Sequence, residues 1–211
     1  GDHRDLHSFP TRRSSDLDTL KKIVAAEPFN KGFLNTPAQE GAASASGLLA
    51  NGKAAMELMG HWEPGVMQGL TEDKKGLGDD TGWFPFPAVE GGAGDPAAAI
   101  GGGDAWACSK DAPDACVDFI SYLLSDEVQQ GFGKNDMGLP TNPAASGSVS
   151  DPVLSDLLKT RDAAPFVQLY FDTALGENIS GAMNPAIVNI FAGKGTSQQV
   201  VDAMTKAAAN E

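Results

Sequence analysis

The sequence predicts an α/β fold, and three observations carry that prediction. The run Gly52-Lys53-Ala54-Ala55-Met56-Glu57-Leu58-Met59-Gly60 is short, apolar and bounded by glycines, as an interior strand of such a sheet would be. Two further extended stretches, Gly82–Pro87 and Ala97–Ser109, follow it. Helical patterns with recognisable caps then occupy most of the chain beyond Asp111.

In order along the chain, Leu20, Ile23 and Val24 make a short helical face that Pro28 stops. Residues to about Ala43 read as loop, and Ser44–Ala50 as a short helix. In the strand that follows, Ala54, Met56 and Leu58 share one face, and Ala55, Glu57 and Met59 the other. Gly60 permits a sharp turn there. His61 and Trp62 would then stand beyond the carboxyl end of a strand, where open α/β sheets bind ligands. Pro64–Thr81 is a polar connection with a helical turn around Met67. Gly82-Trp83-Phe84-Pro85-Phe86-Pro87 reads as an aromatic strand that its prolines confine to an edge or a strand end.

Ala97–Ser109 reads as a strand interrupted by Gly101-Gly102-Gly103-Asp104. A helix follows, with Asp111 as N-cap, Pro113 in its first turn, and a buried stripe of Cys116, Phe119, Ile120, Leu123 and Leu124. Ser125 caps a second helix that Gly131 and Gly133 close. Asp151-Pro152 opens another, with Val153, Leu154, Leu157 and Leu158 as its face. Asn184-Pro185 opens the next, and the capping-box pattern Thr196-Ser197-Gln198-Gln199 opens the last. There is no internal repeat.

Residues 1–17 are set aside from the fold. Read back through the genetic code, Asp2 to Leu17 resembles a common sequencing-adapter oligonucleotide without a mismatch. The expectation is a non-native segment standing where the gene's true start was lost. The net charge is −13 for the whole chain, and it stays −13 when the three Arg and three Asp of that segment are removed. So acidic a surface argues against nucleic-acid binding and repels anionic membranes. No run approaches the roughly 18 apolar residues of a membrane-crossing helix.

Outside the first 17 residues His61 is the one histidine, so a metal site is not expected, nor is a cofactor. Cys108 and Cys116 lack metal-site spacing. They read either as a disulfide across a strand-to-helix turn or as two small buried residues. No nucleophile motif surrounds His61. The Gly101–Gly103 run lacks the Lys-Ser/Thr of a phosphate loop. Asp104 and Asp172 are conceivable as the acid and base of a glycoside hydrolase, a reading that no matched motif supports.

Binding of a neutral polyol fits the side chains better. A sugar needs aromatic plates for its C–H faces and acceptors for its hydroxyls. Trp62, Tyr170, Asp104 and Asp172 supply both types near expected strand ends or loops, whereas Trp83 and Trp106 read as core or sheet-packing residues.

From about Leu20 onward the chain resembles the C-terminal half of extracellular solute-binding proteins of ABC importers, the carbohydrate-binding, maltose-binding-like family. The blocks that match in order are Asn51–Met56 with Gly60-His61-Trp62, Phe84–Pro87, Gly101–Lys110, Phe119–Gln129, Gly138-Leu139-Pro140 and Ala192-Gly193-Lys194. The resemblance implies a two-lobed periplasmic-binding-protein-like fold of type II, here truncated to its C-terminal half. It implies a mono- or oligosaccharide ligand held in an interlobe cleft, no enzyme activity, and permease subunits as partners.

The resemblance also implies an extracellular or periplasmic location, with anchoring through the missing N-terminus. Carried over by residue, Trp62 stacks on a sugar ring, and Gly102, Gly103 and Asp104 line the cleft. Tyr170 and Asp172 belong to a late cleft-facing segment. His61 departs from the small or polar residue usual there and either adds a hydrogen bond or stands exposed. Residues 18–96 would belong to the C-terminal lobe, 97–140 would cross into the N-terminal lobe, and 141–211 would return. The crossing segment would lack sheet partners, leaving its helix stripe partly exposed. A binding protein for an anion such as a glycerol phosphodiester would need Arg or Lys in the cleft, and these motifs supply none.

Overall fold

The computed structural model describes residues 9–90, 92, 94–135 and 137–209; the first part of the segment 1–17, residues 1–8, lies outside the described residues. In chain order the regular elements are helix α1 (Phe9–Ala25), α2 (Ala45–Ala50), α3 (Glu63–Leu70), strand β1 (Ala99–Gly101), α4 (Ala115–Leu123), α5 (Asp126–Lys134), α6 (Pro152–Ala163), β2 (Val167–Leu169), α7 (Phe171–Ala174), α8 (Glu177–Phe191) and α9 (Ser197–Ala208). Short 3-10 turns cover Phe33–Asn35, Gly78–Asp80 and Pro143–Ser148. Two compact units result. One takes the chain up to Asn35, Phe86–Gly102 and Gln168 onward; the other takes Thr36–Pro85 and Gly103–Val167.

In the first unit, α8 and α9 pack through Met183, Ile190, Val200 and Met204, with Leu17 and Leu20 of α1 and Ile179, Ala186 and Ile187 of α8 against them. The apolar positions of α8 recur every three or four residues, which puts them on one face. That stripe extends on both sides of Pro185, so the helix starts at Glu177 rather than at Asn184. Proline forfeits one backbone hydrogen bond inside a helix; burial of the stripe offsets it. The capping box forms as its spacing predicts: Thr196 Oγ1 accepts from Gln199 N and Gln199 Oε1 from Thr196 N. Phe29 and Phe33 stack and meet Phe191 at the end of α8 edge-on.

In the second unit, Leu139, Leu154 and Leu158 form the core, with Val149 and Leu157 against it. Asp151 caps α6 by accepting from Leu154 N at 2.8 Å. The buried Gln129 of α5 accepts from Thr141 N (2.9 Å) and Thr141 Oγ1 (3.1 Å), which ties α5 to the loop beyond it. Ser44 caps α2, and Met67 seats α3 in the core. Met67 thus belongs to two full turns, where the sequence suggested one.

The sheet is where expectation and structure part. Among the described residues it has two strands, β1 and β2. Ala54–Leu58 is not a strand but an irregular segment, and Met56 and Leu58 of its apolar face are 71% and 77% exposed. Gly82–Pro87 is irregular as well, with Phe84 and Phe86 exposed. Of Ala97–Ser109, three residues pair. An extended segment satisfies its backbone only by pairing with neighbours, and these segments have none among the described residues.

Helix α4 forms, but from Ala115 rather than next to Asp111, and it buries no residue; Phe119 and Leu124 of its stripe are exposed. Trp106, expected in a core, is 71% exposed. Trp83 is half-buried and donates from Nε1 to Asp156 at 3.0 Å.

Candidate functional site

The turn Gly60–Glu63 delivers two aromatic rings to the start of α3. Glu63 N donates to Gly60 O at 3.1 Å, and Pro64 follows in the first helical turn, so the chain reverses direction tightly. The Trp62 indole folds back across Gly60, where a Cβ would overlap ring carbons Cη2 and Cζ3. Gly60 is therefore required for close approach of the ring. Trp62 is half-buried, and the His61 ring meets it edge-on at 5.3 Å and 76°.

His61 is not an exposed side chain. It is half-buried, and its Nδ1 accepts from Leu139 N at 3.1 Å. The imidazole therefore acts there as an acceptor, with its proton on Nε2. Burial, and then the positive charge of Arg161, hold its pKa below the ordinary histidine value. Arg161 also donates to Pro140 O at 3.3 Å. His61 and Arg161 together pin Gly138–Pro140.

In the first unit, Gly102 and Tyr170 come together. A Cβ on Gly102 would lie 2.8 Å from Tyr170 Cε2, and Tyr170 N donates to Gly101 O at 3.1 Å. Glycine here lets a phenol ring lie on the backbone. Tyr170 precedes α7, and Asp172 sits within it, exposed, with Oδ1 accepting from Thr173 N. Asp172 lines an open recess with Thr173, Glu177, Ser180 and Asn184. Gly103 and Asp104 are exposed in the second unit. The expected site residues thus assemble as two groups, His61 with Trp62 and Gly102 with Tyr170.

Two features of this region escape a reading of the sequence. Glu177, Ser180 and Asn184 share a face of α8, but Asn184-Pro185 reads as a helix start and hides the three-residue spacing. Glu57 turns inward, where Ser46 Oγ donates to its Oε1 at 3.2 Å, and an alternation of apolar residues suggests the reverse. Burial, and then the negative charge of Glu63, push the Glu57 carboxyl up to about 7. Cys108 and Cys116 form a disulfide that ties the approach to α4 onto the helix. No group of three or more metal-ligating side chains occurs among the described residues, and no helix there is long and apolar enough to cross a membrane.

No curated protein matches the chain. Over residues 7–130, the sequence matches the family described as bacterial extracellular solute-binding protein. That span includes the Gly60–Trp62 turn and the Gly101–Asp104 loop, and it starts inside the segment set aside as adapter-derived.

Proposed function

The chain belongs to the bacterial extracellular solute-binding proteins, and from that premise we propose that it is the substrate-binding component of an ABC-type sugar importer. The family consists of binding proteins, so Asp104 and Asp172 are assigned hydroxyl recognition rather than acid–base chemistry. The observation that carries the sugar reading is the Trp62 indole. It is held flat across Gly60 and braced by His61, with part of its surface left to solvent. A fixed, half-exposed aromatic plate suits the apolar face of a pyranose, which loses little entropy on stacking against it.

In this reading Trp62 supplies the stacking surface, and His61 holds it in place through its bond from Leu139 N. In the same unit Gly103 and Asp104 are assigned as acceptors; within the other unit Gly102 and Tyr170 form an aromatic surface of their own, with Asp172 as its acceptor. Permease subunits are the partners, and the location is extracellular or periplasmic. Residues 1–17 keep their reading as translated adapter, although α1 runs through the later ones; a helix propagates readily from a packed segment such as Leu17–Leu20.

Calorimetric titration with a panel of mono- and oligosaccharides tests the proposal. Saturable sugar binding is expected, weakened about tenfold or more by Trp62→Ala, the loss typical of a central aromatic anchor. Binding of an amino acid or a metal ion, with no saturable sugar binding, overturns the substrate class.

A further inference from the structure

We propose that the inward-turned Glu57 carboxyl keeps a proton that it offers to the buried Glu63, and that this contact is a pH-sensitive clasp fixing the segment that bears Trp62. Glu63 opens α3 and is 6% exposed, and neither of its carboxyl oxygens has a hydrogen-bond donor among the described residues. Glu57 Oε2 is likewise buried without a donor. The two groups nevertheless lie close enough for the charge of Glu63 to act on Glu57. Two ionised carboxylates have no hydrogen to share; one proton between them supplies the missing donor.

The surroundings leave that proton as the remedy. Ser46 of α2 brings one hydroxyl hydrogen, and Ala38 O and Glu57 Oε1 both stand 3.2 Å from its Oγ. Gln39, from the preceding loop, is directed at Met59 Sδ. The charged group acting on Glu57 from α3 is Glu63 itself. Neither carboxyl takes part in an ion pair among the described residues. A divalent cation wants six or more oxygens, more than two carboxylates and a hydroxyl provide.

The sign of the pH dependence follows. An unfolded glutamate titrates near 4.5, and the folded Glu57 near 7. Between those values the folded chain holds more protons than the unfolded one, so stability falls as pH rises through the window. The contribution is complete below the lower value and gone above the higher. Because Trp62 lies between the two glutamates in the chain, ionisation of Glu57 loosens its segment. The consequence for sugar affinity, weaker above neutral pH, rests on the function proposed above.

The test uses the full chain without sugar, so its outcome is independent of whether sugar binds. Thermal midpoints are compared from pH 5 to 8 for the wild type, Glu57→Gln and Glu63→Gln. The glutamine amide donates as the protonated acid does. The wild-type midpoint is expected to fall by about 2–4 °C more than that of Glu57→Gln over this range. A direct 13C titration of the wild-type carboxyls, expected to show one glutamate titrating near 7, covers the case of a variant that does not fold. Parallel pH profiles of wild type and Glu57→Gln overturn the proposal. So does the absence of any carboxyl with a raised titration, or stabilisation by Ca2+ that Glu57→Gln abolishes.

Discussion

Helices α8 and α9 and the segment Ala54–Gly60 carry comparable apolar content, yet they dispose of it in opposite ways. In the helix pair the backbone groups between the ends are satisfied within the element, apart from the one bond that Pro185 forfeits, so the apolar stripe is free to find a partner. It finds one in Met183, Ile190, Val200 and Met204. In Ala54–Gly60 the backbone needs a neighbouring strand before the side chains can be sorted between faces. Without one, Met56 and Leu58 point to solvent and Glu57 turns in toward Ser46. The difference teaches that a helix can be judged from its own sequence, whereas a strand is a property of the sheet around it.

The sharpest way to break the comparison is to hollow out the helix pair. Ile190 is 2% exposed, and Ile190→Ala removes three carbons from a closed core. The expected loss is about 3 kcal/mol, within the range of roughly 2–5 for such truncations. Chemical denaturation followed by far-UV circular dichroism measures it. A loss under about 1 kcal/mol would mean that the α8–α9 interface is open to water and resembles the irregular segment after all.

Gly60→Ala comes next. The new methyl overlaps the Trp62 ring, so the indole must swing away or the turn must shift. Overpacking of this kind costs about 1–3 kcal/mol. In a variant with Trp83 and Trp106 replaced by Phe, Trp62 emission is expected to shift to the red, and sugar binding to fall as it does in Trp62→Ala. Unchanged emission would show that the ring does not depend on Gly60.

How much was legible follows from the same contrast. The caps at Ser44, Ser125, Asp151 and Thr196 could be read because each satisfies backbone N–H groups two or three residues away. The start of α8 could not, because Pro185 is a strong local signal that a long-range core overrides. The strands at Ala54–Leu58 and Gly82–Pro87 do not form for want of partners, and the α4 stripe, which periodicity alone reads as buried, is exposed, as the resemblance implies for a segment without its sheet. Of the candidate site, the turn that precedes Trp62 was legible from Gly60. The His61 bond to Leu139 spans 78 residues, and the Glu57–Glu63 pair needs α2 packed against α3; no local spacing reveals either.

Two smaller effects sharpen the comparison from its ends. Thr196→Ala removes one half of the capping box on α9 and is expected to cost about 1 kcal/mol, read as a lower denaturation midpoint. Leu58→Ser sits at the other extreme. Leu58 is 77% exposed, so its removal is expected to change stability by less than about 0.5 kcal/mol, where the same loss of apolar surface inside α8 would cost several times more. The substitution acts instead on association. Met56 and Leu58 form an exposed apolar edge on a backbone outside any strand pairing among the described residues, which favours contact between copies at high concentration. Light scattering at increasing concentration is therefore expected to rise less steeply for Leu58→Ser than for the wild type. A large drop in stability would instead place Leu58 inside a packed surface, and so return this segment to the class of α8 and α9.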